Sequence, residues 1–378
     1  MILKNVIRRE KKVIVVIAAI VLCIVIVVCI ILPPSTGKTE PYLDDDENVI
    51  AGSISEKISV DINGTSLGMF IMAKDNTKPV LLFLGGGPGI PEYFLEQSYP
   101  SKLEDEFVVC YLDYRGTALS YDPELTTETM TTEQYVSDAA QVTKYLSERF
   151  GQEKIYLMGH SFGTYIGLKV VHQYPNMYHA YIAMSQITNS PKSEKLAYSY
   201  MREQYEIAGN TKMVQKFDDY PILTSEKAYE RYTASSLRDT AMHELGVGTM
   251  RNMKSVISGI FFPSLRCTAY TQAERINIWK GKDFSQSTPI FEESRQYDSF
   301  NEVSSIEVPI YFFAGIHDYT VCYSLQQEYY EKINAPIKAF YTFHNSAHSP
   351  LFEESEKALA ILAQNVLTRK TTLSDQPR

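Results

Sequence analysis

The stretch Gly159-His160-Ser161-Phe162-Gly163 has the form G-x-S-x-G and separates two segments of different character. Residues 154–158 before it form an apolar, strand-like run, and residues 162–174 after it have a helical pattern. A strand that turns sharply into a helix exposes one side chain at the tip of the turn, and a Cβ on either flanking glycine would clash there. We therefore predict that Ser161 is a nucleophile displayed on such an elbow.

Short apolar runs alternate with helical patterns on both sides of this elbow. An amphipathic helix is predicted over residues 132–150, directly before the strand that leads to Ser161. Strands that alternate with helices form a mostly parallel sheet with helices on both faces, so the predicted fold class is α/β. A hairpin precedes the sheet, because Asn63-Gly64 joins two alternating segments as a type I′ turn does. The predicted sheet strands are residues 79–84, 107–112, 154–158, 179–185, 308–314 and 337–343.

Residues 190–304 interrupt this alternation. They are rich in Tyr, Glu, Lys and Arg at helical spacing and contain no clear strand pattern. We interpret them as a helical cap inserted into an α/β core that comprises residues 56–189 and 305–370. The tyrosines and Trp279 of this region either line an apolar pocket or pack the cap, and packing is the preferred interpretation.

The N-terminal region predicts a membrane anchor. Residues 13–32 are an uncharged apolar run of the length that crosses a bilayer as a helix. Residues 1–12 carry five basic side chains and one acidic one, which favours a cytoplasmic N-terminus. The predicted location is therefore the cell membrane, with the catalytic body on its extracytoplasmic side. A cleaved signal peptide is disfavoured, because Pro33-Pro34 follows with no small-x-small cleavage site. Residues 33–55 are interpreted as a stalk.

Composition excludes several classes of partner. The 378 residues carry a net charge of −9 and no basic stripe, which argues against nucleic-acid binding. The cysteines outside the predicted anchor are Cys110, Cys267 and Cys322, an odd and sparse set that does not indicate a disulfide framework. A bridge between Cys267 and Cys322 is an alternative that we do not favour. No zinc-binding spacing is present, and no cofactor is implied.

A serine nucleophile needs a general base and an acid that orients the base. On this kind of fold the chain order is Ser, then Asp or Glu, then His. Asp318 directly follows the strand at 308–314 and His348 lies beyond the strand at 337–343, so both are predicted at the sheet edge that carries Ser161. Two competing interpretations remain. Asp318 could be the N-cap of a helix, and His344 could be the base in place of His348, although we expect His344 to be partly buried in the last strand.

Acyl transfer also needs hydrogen-bond donors for the developing oxyanion. One predicted donor is the backbone N–H of Phe162, the residue after the nucleophile. The second is expected from Gly85-Gly86-Gly87-Pro88-Gly89, which follows the strand at 79–84, with Gly87 preferred and Gly86 next. A phosphate-binding glycine loop is disfavoured, because Pro88 and Pro91 interrupt the pattern of such a loop.

These motifs, together with Asp113-Tyr114-Arg115-Gly116-Thr117-Ala118-Leu119-Ser120, resemble the α/β-hydrolase superfamily. Within it the chain looks most similar to proline iminopeptidases, over about residues 55–370. The resemblance implies Ser161 as nucleophile, His348 as base, Asp318 as the orienting acid, and Gly87 and Phe162 as oxyanion donors. The sequence departs from that group where Gly85 replaces His, Tyr114 replaces Gln and Ala118 replaces Gly.

The departures concern substrate choice. Iminopeptidases hold the free amino group of the substrate with carboxylates, and the cap offers several that no motif assigns. The predicted function is a membrane-anchored serine hydrolase that acts through an acyl-enzyme on a peptide or small-molecule substrate, with a peptidase of the proline iminopeptidase type preferred. The alternatives are a carboxylic ester hydrolase of the esterase or lipase type, an acyltransferase, and an inert hydrolase-fold binding module. The unassigned cap carboxylates are Glu194, Glu203, Glu206 and Glu244.

Overall fold

A computed structural model describes residues 15–23, 29 and 32–375. Its centre is an eight-stranded sheet in the order β1-β2-β4-β3-β5-β6-β7-β8. The pairs β1–β2 and β2–β4 are antiparallel, and every other neighbouring pair is parallel. The strands are β1 (Ile54–Ile62), β2 (Thr65–Ala73), β3 (Val80–Leu84), β4 (Val108–Leu112), β5 (Ile155–His160), β6 (Tyr178–Met184), β7 (Ile310–Gly315) and β8 (Lys338–Phe343).

The central strands are continuous apolar runs because both faces of the sheet are covered. Every residue of β3, β4 and β5 is buried, as expected for parallel strands between two helical layers. The register places Leu84 of β3 opposite Gly159 of β5. The glycine-rich loop after β3 and the elbow after β5 therefore leave the sheet side by side.

Helices cover the two faces of the sheet, and two separate apolar clusters fill the space beneath them. The predicted helix at 132–150 is present with those bounds: the Thr131 hydroxyl accepts a hydrogen bond from the N–H of Gln134, and Gly151 ends the helix in the left-handed region. The helices outside the β6–β7 connection are α1 (Tyr93–Ser98), α2 (Thr132–Phe150), α3 (Phe162–Gln173), α12 (Tyr323–Lys332), α13 (Pro350–Glu353) and α14 (Ser355–Ile361).

The connection between β6 and β7 is helical. Its first helices share an apolar cluster that includes Tyr198, Phe217 and Tyr232, and Cys322 and Leu325 after β7 join this cluster. The helices here are α4 (Ser190–Ile207), α5 (Thr211–Asp218), α6 (Glu226–Thr233), α7 (Leu237–Leu245), α8 (Phe262–Arg266), α9 (Gln272–Ser285), α10 (Pro289–Gln296) and α11 (Ser299–Glu302). Wider π-type turns lie at Ile257–Phe261 and Leu362–Val366, and short 3₁₀ turns lie at Leu103–Asp105, Ala118–Ser120, Thr127–Thr129 and Pro175–Met177.

The N-terminal hairpin forms as the Asn-Gly pair predicts. Asn63 and Gly64 have φ angles of 50° and 74°, the positive values that a type I′ turn requires at both central positions. The register then runs from the pair Ile62–Thr65 to the pair Ile54–Ala73.

The predicted transmembrane helix over residues 13–32 is wrong. Across the described ranges, no helix is both long enough and apolar enough to span a bilayer. Within the predicted anchor, the residues that the structure describes as helical are 15–23 and 29. The remaining parts of the prediction, residues 13–14, 24–28 and 30–31, lie outside the described residues, as does the basic segment 1–12. The extracytoplasmic location depended on this helix and stays a prediction.

The segment after that stretch runs along the helical insertion. The carbonyl oxygen of Pro33 accepts a hydrogen bond of 2.6 Å from Nη1 of the buried Arg275, and the N–H of Gly37 donates to the carbonyl of Thr268 over 3.2 Å. Tyr42 packs against the apolar cluster on one face of the sheet.

Candidate active site

Ser161 sits on a strained turn between β5 and α3. Its φ and ψ angles are 51° and −118°, a region that few non-glycine residues occupy and that functional sites retain. A Cβ on Gly163 would lie 1.9 Å from the carbonyl oxygen of Leu84, and a Cβ on Gly159 would lie 2.5 Å from the carbonyl oxygen of Gly163. Only glycine fits at either position, so the pentapeptide is required by the close approach of the backbone segments.

The structure brings the predicted acid and base together. Nδ1 of His348 lies 2.9 Å from Oδ2 of Asp318, and both side chains are almost completely buried. Because Nδ1 faces the carboxylate, Nε2 is the ring nitrogen left to exchange a proton with a substrate or nucleophile. Ser161 and His348 line the same cavity.

Asp318 is held by donors other than His348. Its Oδ1 accepts hydrogen bonds from the N–H groups of Thr320 (2.9 Å) and Val321 (3.0 Å), and Nε2 of Gln326 lies 3.4 Å from Oδ2. α12 begins only at Tyr323, so the N-cap interpretation of Asp318 is wrong. The rival base His344 lies just after β8 and is exposed, not partly buried in the strand as expected.

The glycine loop after β3 passes directly over the nucleophile. A Cβ on Gly86 would lie 3.4 Å from the Cβ of Ser161, and Gly86 and Gly87 both line the cavity. Phe162 is the first residue of α3, where a backbone N–H has no acceptor within the helix. The geometry therefore leaves Phe162 and the loop glycines beside Ser161, and their role as oxyanion donors stays a prediction.

Side chains from distant parts of the chain hold this loop by its carbonyl groups. The hydroxyl of Tyr114 donates to the carbonyl of Gly85 over 3.2 Å, and that of Thr117 donates to the carbonyl of Gly89 over 2.8 Å. Ser285 of α9 donates to the carbonyl of Pro88 over 3.2 Å. Tyr114, one of the departures from the iminopeptidase pattern, therefore supports the loop at Gly85, another departure.

A buried ion pair that the sequence did not indicate lies under the site. Nδ1 of His160 is 2.7 and 2.9 Å from the two carboxylate oxygens of Glu92, and Nε2 donates to the carbonyl oxygen of His348 over 2.8 Å. Burial lowers the pKa of His160, but the charge and hydrogen bond of Glu92, together with the hydrogen bond to the His348 carbonyl and the charge of Asp318, raise the pKa overall. The hydroxyl of Ser185 also donates to the His348 carbonyl, over 2.8 Å. The backbone of the predicted base is thus fixed from beneath.

The loop that carries His348 is held from its other side by Glu353. The carboxylate of Glu353 accepts from the N–H of Ala347 over 2.9 Å, of Ser349 over 3.4 Å, and of Arg251 in the helical insertion. Burial raises the pKa of Glu353 to about 7. This carboxyl group therefore joins the base loop to the insertion.

The cavity above Ser161 has a volume of about 410 Å³. The helical insertion forms much of its wall through α7, the turn at Ile257–Phe261 and α9. Trp279 lines the cavity, packs against Phe261 with ring centroids 4.9 Å apart and the ring planes tilted by 60°, and donates a hydrogen bond to the hydroxyl of Ser264. None of the described tyrosines of the insertion lines the cavity. The tyrosines therefore pack within the protein, whereas Trp279 lines the cavity. The apolar walls include Ile90, Phe94, Met242, Ile257, Phe261 and Trp279.

The four carboxylates considered for the substrate's amino group do not line this cavity. Both oxygens of Glu194 lie 2.8 Å from Nε of Arg238, Glu206 pairs with Arg202, and Glu244 accepts from the hydroxyl of Tyr205. Glu203 is exposed. Among the described residues, the carboxylates that do line the cavity are Glu92 and Asp239, neither of which the sequence pattern marked.

Within the ranges that the structure describes, no three or more His, Cys, Asp or Glu side chains are grouped so that they could hold a metal ion. Cys110, Cys267 and Cys322 are buried free thiols, so the alternative bridge between Cys267 and Cys322 is wrong.

Comparison with known proteins assigns the family. The family model described as alpha/beta hydrolase fold matches residues 79–355. A probable aminopeptidase, YbaC, of Bacillus subtilis (strain 168) is 32% identical over 304 residues, which are 80% of this chain and 93% of that protein. A proline iminopeptidase of Thermoplasma volcanium is 31% identical over 115 residues, 30% of this chain and 37% of its own length.

Solved structures agree at the level of the fold. The proline iminopeptidase of Mycobacterium smegmatis superimposes with a TM-score of 0.57 at 15% identity, over 83% of this chain and 98% of its own. The structure of VinJ gives the same TM-score at 14% identity and the same coverage. The expected α/β-hydrolase fold with its mostly parallel sheet is confirmed, and the chain therefore belongs to the α/β-hydrolase family as a hydrolase that resembles proline iminopeptidases.

Proposed function

We propose that this hydrolase is a serine aminopeptidase that cleaves short peptides through an acyl-enzyme. The observation that carries the proposal is the Asp318–His348 hydrogen bond beside Ser161, which the elbow holds at a positive φ in the wall of the cavity. The peptidase class is supported by the 32% identity to the probable aminopeptidase of Bacillus subtilis over 80% of the chain.

In the proposed reaction Oγ of Ser161 attacks the scissile carbonyl carbon while Nε2 of His348 accepts the hydroxyl proton. The oxyanion of the tetrahedral intermediate accepts hydrogen bonds from the N–H groups of Phe162 and Gly87. His348 then gives its proton to the leaving amine, and the C–N bond breaks. Water, deprotonated by His348, hydrolyses the acyl-enzyme and restores the serine hydroxyl. Asp318 keeps the imidazole in the tautomer that this exchange needs.

The free amino group of the substrate is proposed to interact with a carboxylate of the cavity wall. Asp239 is the more available of the two, since its side chain is about half exposed (52%) and Arg238 contacts only one of its carboxylate oxygens, Oδ1. In Glu92, by contrast, both carboxylate oxygens face His160. The apolar remainder of the wall fits an apolar N-terminal side chain, proline among them.

A fluorophosphonate probe with the full chain tests the nucleophile. We expect the wild type and Ser287→Ala, a change at an exposed serine, to be labelled, and Ser161→Ala to fold, remain unlabelled and lose on the order of 10⁶ in kcat. Labelling of Ser161→Ala equal to the wild type would refute the assignment of the nucleophile.

The substrate class is tested with matched pairs of aminoacyl amides, one free and one N-acetylated, and with the corresponding N-acetylated esters. An aminopeptidase hydrolyses the free amides and spares the acetylated ones. Turnover confined to the acetylated esters would instead assign the protein to ester hydrolysis.

A further inference from the structure

Lys282 places a positive charge in the wall of the proposed active site. It lies on α9 three residues after Trp279, on the same helix face, and both residues line the cavity that contains Ser161 and His348. Its side chain is partly buried. The proposed reaction makes no use of this ammonium group.

The position of Lys282 is fixed relative to the glycine loop. A Cβ on Gly89 would lie 2.8 Å from the carbonyl oxygen of Gly281, the residue before Lys282, and Ser285 of the same helix donates to the carbonyl of Pro88. A Cβ on Gly281 would lie 2.5 Å from the carbonyl oxygen of Gly116. Because backbone meets backbone at these points, the part of α9 that carries Lys282 is packed closely against the glycine loop, and Lys282 lines the same cavity as Gly86 and Gly87.

The arginine and the lysine among the described residues of the cavity wall, Arg238 and Lys282, differ in their partners. Arg238 is compensated twice, by both oxygens of Glu194 at 2.8 Å and by Oδ1 of Asp239 at 2.9 Å. The ammonium of Lys282 makes no ion pair within 4.0 Å and no hydrogen bond with any described residue. Burial lowers the pKa of Lys282 and the more distant charge of Asp239 opposes that effect, so the group loses hydration without gaining a direct counter-ion. An anion bound in the cavity would supply one.

We propose that Lys282 is a substrate-binding residue that receives a carboxylate of the peptide, so that the preferred substrates are short peptides carrying a carboxylate next to the scissile bond. This proposal rests on the proposed peptidase function and specifies its substrate class. The carboxylate has two possible sources, the C-terminus of a dipeptide or an acidic side chain of the residue after the scissile bond. A compact point charge on a flexible stem suits either source.

The test compares three substrates that share an N-terminal proline: Pro-Ala, its C-terminal amide, and Pro-Asp amide. For the wild type we expect Pro-Ala to have a KM about tenfold to a hundredfold below that of Pro-Ala amide, the range of a hydrogen bond to a charged group. Pro-Asp amide resembles Pro-Ala if a side-chain carboxylate is accepted, and resembles the neutral amide if only the C-terminus is.

Lys282→Met should remove this preference by raising KM for Pro-Ala, with kcat and the amide kinetics nearly unchanged, and Lys282→Arg should retain most of it. Lys280→Met, on the same helix but exposed and outside the cavity wall, should behave as the wild type. If Lys282→Met does not fold, Lys282→Gln takes its place. Equal wild-type kinetics on Pro-Ala and its amide, or equal losses on both in the variant, would overturn the proposal. Failure to cleave any of the three, together with failure to cleave the free aminoacyl amides, would instead count against the peptidase function.

Discussion

The buried pair of Glu92 and His160 gives the most specific prediction about stability. The change is Glu92→Gln, which keeps the shape of the side chain and removes its charge. In the wild type Nε2 of His160 donates to the carbonyl of His348, and Nδ1 faces both oxygens of Glu92 at 2.7 and 2.9 Å. The raised pKa of His160 means that the ring is an imidazolium over a wider pH range in the folded protein than in the unfolded chain.

The size of the effect follows from burial. Removing one partner of a buried ion pair costs about 3–5 kcal/mol when the other charge stays uncompensated. In Glu92→Gln the ring can become neutral and keep the hydrogen bond to His348, so the expected cost is that of a hydrogen bond to a charged group, about 1.5–3 kcal/mol. Glu92→Ala leaves Nδ1 without a partner and should reach the higher range.

Urea unfolding of the full chain, followed by circular dichroism between pH 6 and pH 9, measures both the cost and its pH dependence. His160 has a raised folded-state pKa, so its stabilising contribution is complete below the unfolded value of about 6.5 and is lost as the pH rises through the folded value. The difference between the wild type and Glu92→Gln should therefore be largest at pH 6 and shrink towards pH 9.

Glu153→Gln serves as the control, because Glu153 is exposed and its substitution should change the free energy of unfolding by less than about 0.5 kcal/mol. The reasoning is refuted if Glu92→Gln costs no more than this control, or if its cost grows as the pH rises.

Two further predictions concern the base and the elbow. His348→Ala should abolish turnover while His344→Ala has little effect, because Nδ1 of His348 lies 2.9 Å from Asp318 and His344 is exposed after β8. Steady-state kinetics of both variants measure this difference, and a severe loss in His344→Ala would mean that the base is misassigned. Gly163→Ala should prevent stable folding, since its Cβ would lie 1.9 Å from the carbonyl oxygen of Leu84, whereas Gly151→Ala, with φ of 63° and open space around its Cβ, should cost about 1–2 kcal/mol. Thermal melts compare the two, and equal melting temperatures would contradict the role of that contact.

Local patterns predicted the sheet well because a buried strand consists of consecutive apolar residues, which can be recognised in the sequence. The runs at 79–84, 107–112 and 337–343 match β3, β4 and β8 within a residue at each end.

Apolarity alone misled the interpretation of the N-terminus. A run of 20 uncharged residues is sufficient for a membrane span only if it forms one long apolar helix, and across the part of the chain that the structure describes no helix meets that condition.

The sequence by itself determined the elements that depend on neighbouring residues: the hairpin turn at Asn63-Gly64, the parallel strands, and a turn around Ser161 that only glycines permit. It also placed Asp318 and His348 after their strands. Only the tertiary structure decided which charges compensate one another, because Glu92 and His160 are 68 residues apart and His160 and His348 are 188 apart. Pairing of this kind depends on three-dimensional distance and burial, and neither produces a periodic pattern in the sequence. For the same reason only the tertiary structure shows that Arg238 is neutralised, while Lys282 faces the cavity without a direct counter-ion among the described residues.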